Sequence, residues 1–231
     1  MELTEKLKRR LYQNGARLVG IGNMRGIENC NYSVGVSIAI PLPKHIIYDL
    51  QTAPTKEYFD MYYALNGKLN EIVTDGERFL HEAGYEAYAQ TTERVVICEK
   101  QTTAVPHKTV ATRAGLGWIG KNCLIVTKEF GSAVRLSSLL TNAPLKCGNA
   151  IEKSLCGACT LCVRNCPAQA LCGTLWDVGI PRENIIDVEK CYKKQIEIMF
   201  RQTGIEQDLC GRCFATCAYT VKYIRQARSR L

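Results

Sequence analysis

Thirteen cysteines are the residues of this chain whose type and spacing most clearly point to chemistry. Eight of them fall into two groups between residues 156 and 217. In a reducing cytosol, a dense set of thiols predicts bound metal rather than disulfides. The other five are scattered, and the ordinary role of such free cysteines is that of small buried hydrophobic side chains. These five are Cys30, Cys98, Cys123, Cys147 and Cys172.

The first group reads Cys156-Gly-Ala-Cys159-Thr-Leu-Cys162-Val-Arg-Asn-Cys166-Pro167. Its spacing, C-x₂-C-x₂-C-x₃-C-P, is that of bacterial ferredoxins that hold two 4Fe-4S clusters. Three close cysteines in a tight loop can hold three corners of a cubane. The fourth lies on the helix that follows and points towards the other cluster.

The second group is Cys191 followed by Cys210-Gly-Arg-Cys213-Phe-Ala-Thr-Cys217. It lacks a third close cysteine, so we expect Cys191 to be supplied by a preceding loop. Crossed ligation then predicts two sets of four thiols. The first cluster takes Cys156, Cys159, Cys162 and Cys217, and the second takes Cys166, Cys191, Cys210 and Cys213. Structural zinc sites are the alternative, but zinc prefers paired C-x₂-C elements separated by a longer loop.

A glycine-rich string, Gly115-Leu-Gly117-Trp-Ile-Gly120, spells G-x-G-x-x-G. A dinucleotide-binding fingerprint follows a strand, opens a helix and has an acidic residue about 20 positions later. Here a predicted helix precedes the string, a predicted strand follows it, and residues 134–141 contain no acid. We therefore reject dinucleotide binding. Two interpretations remain, a loop lying against a flat or phosphorylated ligand and a tight connection packed by Trp118.

The pattern of apolar residues predicts both helices and strands along the chain. Helical periodicity runs from Glu57 to Ala83 and is closed by Gly84. Strand patterns cover residues 34–40 and 133–140, with shorter ones at 85–89 and 94–98. The sequence predicts an α+β fold, with a mixed domain over residues 1–146 and a small ferredoxin-like domain over residues 147–231.

Composition and charge limit the classes of function that this chain can have. No apolar run approaches the ~20 residues of a membrane span, and the first residues show no signal peptide, so we expect a cytoplasmic protein without a membrane partner. The formal charge is +8. Two clusters ligated by eight thiolates would reduce it to about +4, so the basic balance is weak evidence for nucleic acid.

The run from Ala111 to Asn122, ATRAGLGWIGKN, resembles the A-x-x-A-G-L-G-W-x-G-K-[NH] segment of epoxyqueuosine reductases. The Phe130-Gly-Ser132 and Leu139–Leu145 stretches, the Leu18–Ile21 start and both cysteine groups are also similar, in the same order. A more distant similarity is to reductive dehalogenases. The resemblance covers most of the chain.

This resemblance implies a cobalamin held in a nitroreductase-like domain next to a two-cluster ferredoxin-like domain. Electrons would pass through the two 4Fe-4S clusters to the corrinoid cobalt, which would then attack or reduce the substrate. The residues that it places along the corrin or its nucleotide tail, with their flanks, are Arg113, Gly115, Leu116, Gly117, Trp118, Gly120, Lys121 and Asn122.

The family's acidic proton donor falls, counted without gaps, at Gln101, and a glutamine cannot act as a general acid. Glu99 is two residues away and is the substitute that a short gap would allow. Lys108 stands where the family has an arginine, which keeps the charge but loses the forked geometry. These three are the predicted catalytic positions, and His107 beside them is either a proton donor or a structural histidine.

The chain ends at Leu231, whereas full-length family members continue into a helical region associated with tRNA, so we do not expect tRNA as a partner. We expect a low-potential electron donor, a ferredoxin or flavodoxin, and a small-molecule or corrinoid-protein substrate. Lys222, Arg225 and Arg228 share one helix face, which is either a docking face for an acidic donor or a solvated surface.

Three functions follow from these patterns. The first is an oxidoreductase, an iron–sulfur and cobalamin-dependent reductase. The second is a corrinoid-binding electron-transfer protein that reduces cobalamin for a partner enzyme. The third is a two-cluster ferredoxin-type carrier with an added domain and no corrinoid. The sequence favours the first by a small margin.

Overall fold

The structure is a computed structural model that describes residues 2–98 and 102–226. The protein has a mixed α/β fold whose chain forms two compact units, each built from three separate segments. The first unit comprises Met1–Ile40, Ala64–Gly117 and Arg135–Glu152, and the second Pro41–Tyr63, Trp118–Val134 and Lys153–Leu231. The units interleave along the chain, and the linear division at residue 146 stays a prediction.

The helices are α1 (Leu3–Gln13), α2 (Lys44–Leu50), α3 (Lys56–Glu82), α4 (His107–Arg113), α5 (Leu161–Arg164), α6 (Val188–Thr203), α7 (Arg212–Ala215) and α8 (Ala218–Arg225), with a 3₁₀ turn at Arg182–Asn184. The strands are β1 (Leu18–Asn23), β2 (Val34–Pro41), β3 (Ala87–Ala89), β4 (Trp118–Ile119), β5 (Ile125–Val126) and β6 (Val134–Thr141).

The first unit is built on a four-stranded sheet in the order β1-β2-β6-β3. Strand β1 pairs antiparallel with β2, and β3 pairs antiparallel with β6. The apolar stripe of α1, with Leu7 and Leu11, joins Ile72 and Leu80 of α3 and Ile38 of β2 in one core. Almost every residue of β2 is buried, so both of its faces are covered rather than one.

Helix α3 begins and ends within a residue of its predicted limits, because its apolar residues keep a helical period up to Gly84. The predicted strand at residues 94–98 does not form. In its place Cys98, the last residue of that segment, forms an isolated bridge with Thr102. Arg94 there pairs with Glu77 at 2.7 Å. Val96 and Ile97 are exposed, so the segment buries no apolar face that would hold it as a strand.

The second unit combines the two-stranded β4–β5 ladder with the short helices that carry the cysteines. Helix α6 begins at Asp187, whose side chain accepts a hydrogen bond from Lys190 N–H, and ends at the left-handed Gly204. Gly131 has φ +61°, and a Cβ there would overlap the backbone nitrogen of Thr220, so only glycine fits. No helix in the described ranges is long and apolar enough to cross a membrane.

Candidate metal centre

The first set of four thiols forms around helix α5. Cys156 and Cys159 precede this helix, Cys162 lies on it, and Cys217 is the residue before α8. Burial, with the thiols of Cys217 and Cys156 nearby, raises the pKa of Cys162 to about 11. Cys159 acts on it in the same direction. The structure therefore brings together the four cysteines that crossed ligation assigns to the first cluster.

The second set of thiols forms in the same unit. Cys191 lies in the first turn of α6 and not in a loop, and Cys166 lies just after α5 and not on a helix, so both expected positions are wrong. Burial, with the thiols of Cys166 and Cys210 nearby, raises the pKa of Cys191 to about 11. Burial also raises the pKa of Cys213 well above its ordinary range, and Cys210 and Cys191 contribute to that shift. A fifth thiol, the buried Cys123, also raises the pKa of Cys191. The sequence alone predicts Cys123 only as a small buried hydrophobic side chain.

Among residues 2–98 and 102–226, no three His, Cys, Asp or Glu side chains converge on a point where they could bind a single metal ion. The four cysteines of a cubane bind four different iron atoms, so they surround the cluster instead of converging on one atom. Which thiols are neighbours is therefore the observation that bears on a cluster. Cys217 lies near Cys162, and Cys166 lies near Cys191, as crossed ligation requires, but Cys162 also lies near Cys213 of the other set. Cluster binding itself stays a prediction.

Three of these sulfur atoms accept hydrogen bonds from N–H donors. The backbone N–H of Ala170 donates to Cys166 Sγ at 3.4 Å, and the side-chain amide of Gln195 donates to Cys191 Sγ at 3.4 Å. Such donors offset the negative charge of a thiolate, and in iron–sulfur proteins they set the reduction potential. The surroundings of the thiols therefore suit cluster ligands.

The third donor is the indole of Trp118, whose Nε1–H lies 3.5 Å from Cys156 Sγ. Its side chain is fully buried and makes an edge contact with Tyr219, with ring centroids 5.0 Å apart. A buried indole N–H needs a partner, and here the partner is a predicted cluster ligand. Lys121, also buried, donates from Nζ to the carbonyl of Gly157 at 2.8 Å. Two residues predicted to bind cofactor thus contact the first cysteine loop.

The rest of the glycine string in the second unit is also held by protein. The side-chain amide of the buried Asn122 donates to Ser132 Oγ at 2.9 Å, and its Oδ1 accepts from Leu124 N–H. The backbone N–H of Gly120 donates to the carbonyl of Leu124 at 2.8 Å. The tight-connection interpretation of the string therefore has direct structural support in this stretch.

The part of the string in the first unit follows α4. Gly115 has φ +74°, and a Cβ there would lie 2.6 Å from the carbonyl oxygen of Asn149, so a side chain is excluded. Leu116 packs close to Gly20, and Gly117 is buried. Nη2 of Arg113 donates to the carbonyl of Arg25 at 3.2 Å. The Nε of Arg113 is buried and has no hydrogen-bond partner among the described residues.

The predicted catalytic positions are only partly within the described residues. Glu99 and Gln101 lie outside them. Lys108 is half-buried on α4. His107 bonds through Nδ1 to Ser138 Oγ at 2.7 Å, and Ser138 Oγ donates to Gln90 Oε1 at 2.7 Å. Burial, with the charge of Arg135 nearby, lowers the pKa of His107 to about 4, so this histidine is neutral near pH 7, which favours its structural role.

A cavity of about 350 Å³ lies beside the second set of thiols and was not predicted from the sequence. Cys166 and Cys210 line it together with Arg164, Arg201 and Arg212. A signal was present in the sequence, because Arg164 and Arg212 each lie within two residues of a predicted ligand. Their position in the cysteine motifs marks them as neighbours of the cluster.

Comparison with known proteins confirms the resemblance to epoxyqueuosine reductases, although no protein-family model matches the chain. The epoxyqueuosine reductase of Vibrio cholerae serotype O1 is 30% identical over 179 residues, which cover 72% of this chain and 43% of that protein. The chain spans less than half the length of the curated relatives it matches.

Solved structures show the same fold at low sequence identity. A catabolic reductive dehalogenase, NpRdhA, in complex with 3-bromo-4-hydroxybenzoic acid, superposes with a TM-score of 0.71 at 19% identity, over 97% of this chain and 33% of that one. An epoxyqueuosine reductase with an epoxyqueuosine-modified tRNA stem loop superposes with a TM-score of 0.61 at 21% identity, over 95% of this chain and 65% of that one.

The expectation that tRNA is not a partner is wrong. It rested on where the chain ends, and the end of a sequence that spans under half of its curated relatives gives no ground for excluding a ligand. The relatives are epoxyqueuosine reductases, and one structural neighbour is such an enzyme with a tRNA stem loop. Together these findings support a reductase role.

Proposed function

Taking the likeness to epoxyqueuosine reductases as the premise, we propose that this protein is an iron–sulfur and corrinoid-dependent reductase that passes electrons from two 4Fe-4S clusters to a corrinoid cobalt. The observation that supports the proposal most is that thiols of the two motifs raise each other's pKa, with Cys217 acting on Cys162 and Cys166 acting on Cys191. Zinc sites give no reason for this exchange of ligands.

The clusters would supply one-electron transfer, and a bound corrinoid would supply a reducing metal centre for the substrate. The protein itself would hold these groups in place and keep water away from them. The four thiols of the first set would fix the first cluster. The buried indole of Trp118 donates to Cys156 Sγ and would help to exclude water there. Lys121 fixes the backbone of the same loop at Gly157.

The residues that would hold the corrinoid are those of the string in the first unit. The unpaired Nε–H of Arg113 fits an anionic group such as the phosphate of a nucleotide tail, because a buried guanidinium donor needs an acceptor. The close approach of the Asn149 carbonyl already explains the glycine at position 115, so that position gives no separate support for a flat ligand. Trp118, Lys121 and Asn122 already have protein partners.

That last observation favours a second function, a two-cluster electron carrier without a corrinoid. In this alternative the glycine string is a structural connection that ties the chain to the first cysteine loop. The string then has a structural role even without a corrinoid, since Trp118 and Lys121 both contact that loop. The two functions differ in whether the protein binds cobalamin.

For the substrate, we propose a modified nucleoside presented in a tRNA stem loop, as in the neighbouring structure. In the family, the acidic proton donor lies at the position of residues 99–101 of this chain. A tRNA stem loop that carries epoxyqueuosine therefore tests whether this chain reduces that nucleoside. Product formation would support the complete reductase. Cobalamin binding without turnover would favour a protein that reduces a corrinoid for a partner enzyme.

The clusters are tested first, by anaerobic reconstitution with iron and sulfide analysis. We expect about eight iron atoms per chain, and the variant Cys166→Ala should keep about half of them. Cys172→Ala is the matched control, because Cys172 is an exposed cysteine in the same region that belongs to neither set. An unchanged iron content in Cys166→Ala, or bound zinc in the reconstituted protein, would contradict the iron–sulfur proposal.

The corrinoid is tested with the reconstituted protein by following the cobalt absorption bands during an anaerobic cobalamin titration. A saturable spectral shift that is weakened in Arg113→Gln supports the reductase. Absence of a shift up to millimolar cobalamin, corresponding to a binding free energy of about −4 kcal/mol or weaker, would leave the two-cluster carrier.

A further inference from the structure

The cavity beside the second set of thiols brings three guanidinium groups together from three different helices. Arg164 is the last residue of α5, Arg201 lies in the last turn of α6, and Arg212 opens α7. Residues far apart in sequence therefore meet at one depression of the second unit, which measures about 350 Å³. Its polar lining also includes the exposed amide of Gln202.

The positive charge of this cavity is largely uncompensated. No Asp or Glu is among the described residues that line it. Arg201 has a long contact of 3.9 Å with Glu197, and Arg164 has no ion pair in the described part of the chain. Arg212 donates to the backbone carbonyls of Gln51 and Thr52, which fix it without neutralising it. Three such charges in one open depression attract an anionic partner.

The cavity also reaches the predicted cluster. Cys166 and Cys210, two of the four thiols of the second set, are part of its lining. A partner that occupies the depression would therefore stand against the cluster ligands themselves. Balancing the negative charge of the cluster is one role for the three arginines, but that role does not require Arg164 and Arg201 to be exposed to solvent, as they are.

We propose that this cavity is the docking site of an acidic one-electron carrier protein that reduces the second cluster. The inference rests on the proposed function, since it requires the clusters. Docking of a redox carrier is typically a small and weak encounter, steered by opposite charges. In each encounter the carrier loses one electron and the oxidised cluster gains it, with no bond formed or broken and no proton transferred.

The exposed face of α8, with Lys222 and Arg225, is another basic surface of the second unit. Neither residue lines the cavity beside the second set of thiols. This face therefore provides the matched control, because reversing two charges there changes the net charge by the same amount as reversing two in the cavity.

The experiment uses the reconstituted protein and a reduced, strongly acidic plant-type 2Fe-2S ferredoxin as the probe. Stopped-flow absorbance gives the second-order rate of cluster reduction for the parent protein, for Arg164→Glu with Arg201→Glu, and for Lys222→Glu with Arg225→Glu. Each rate is divided by that measured with reduced methyl viologen, a small cation that needs no acidic docking. Arg212 is left unchanged because its backbone contacts support folding.

We expect the rate ratio to fall at least about tenfold in the cavity variant and less than about twofold in the α8 variant, because steering depends on the local field. The parent rate should fall steeply with added salt, and the cavity variant should have lost that dependence. A milder variant, Arg164→Gln with Arg201→Gln, should give an intermediate ratio.

An unchanged ratio in both cavity variants would overturn the inference, and so would an equal loss in the α8 variant, since the effect would then be one of net charge. Failure of the proposed function has a different signature. In that case the parent protein itself would lack iron–sulfur absorption or would not be reduced by methyl viologen.

Discussion

The two sets of thiols lie in one unit but differ in what surrounds their sulfur atoms. Around the first set, the buried Trp118 donates to Cys156 and the buried Lys121 fixes the carbonyl of Gly157. Around the second, Cys166 and Cys210 line an open cavity with three arginines. The first set therefore meets hydrogen-bond donors from residues 118–121, whereas the second borders a basic depression, which is where the proposed carrier would deliver electrons.

The exchange of ligands between the motifs gives the largest expected effect. The double variant Cys166→Ala with Cys191→Ala removes two ligands of the second cluster only, so about half of the iron should remain. Cys156→Ala with Cys166→Ala removes one ligand from each cluster, so nearly all the iron should be lost. Iron analysis and electron paramagnetic resonance of the reduced proteins measure both. If the second variant instead keeps half of its iron, each motif binds its own cluster.

The stability of the first unit depends on pH through His107. Its pKa is lowered to about 4 in the folded protein, from about 6.5 when unfolded, so the unfolded chain binds more protons between these values. The neutral histidine contributes stability that is fully present above about pH 6.5 and is lost as the pH falls towards 4. The shift corresponds to about 3 kcal/mol, of which about 1 kcal/mol is lost by pH 5.5.

Urea unfolding at pH 7.5, 6.5 and 5.5 measures this contribution. The variant His107→Gln should be less stable at pH 7.5 but should lose less stability on acidification. Equal pH dependence in both proteins would show that His107 is not the titrating group. Cluster absorption recorded in the same samples separates unfolding of the first unit from loss of the clusters.

The hydrogen bond from Trp118 to Cys156 is tested by Trp118→Phe, which removes the N–H donor and keeps an aromatic ring. Loss of a hydrogen bond to a thiolate destabilises the more negative, reduced cluster, so its reduction potential should fall. A net contribution of ~1 kcal/mol corresponds to about 40 mV for one electron. A potentiometric titration should show the change in one cluster only. Tyr219→Phe is the control, since it keeps the ring contact with Trp118 and the donor.

The smallest expected effect concerns Cys123, the additional thiol near Cys191. It belongs to neither set of four, so Cys123→Ala should leave the iron content unchanged and alter only the immediate surroundings of the second cluster. Iron analysis with the same reconstitution protocol checks this. A loss of about half of the iron would make Cys123 a ligand and would require one of the four assigned cysteines to be replaced.

The sequence indicates which cysteines are grouped but not what surrounds them. Spacing alone separates the eight grouped cysteines from the five scattered ones, because a cubane demands a fixed local geometry. It does not tell where the side chain of Trp118 points, since the indole partner Cys156 is 38 residues away. The arginine cavity also depends on three helices that meet only in the folded unit.

The same contrast holds for the elements of the fold. Helix α3 follows from a long apolar period, which is a strong local signal. The predicted strand at 94–98 fails because a strand needs a neighbouring strand, and that information is not local. Helix α6 goes unpredicted, although its end signals, Asp187 and Gly204, are present in the sequence.

The interleaving of the two units has a consequence for how such a protein can change over evolutionary time. Arg212, in the segment with the second cysteine motif, is fixed by the carbonyls of Gln51 and Thr52, more than a hundred residues earlier. Gly131 accommodates the backbone of Thr220 in the same way. A gene fragment that carried only the cysteine motifs into another protein would leave these partners behind. Recombination should therefore keep the three segments of the second unit together.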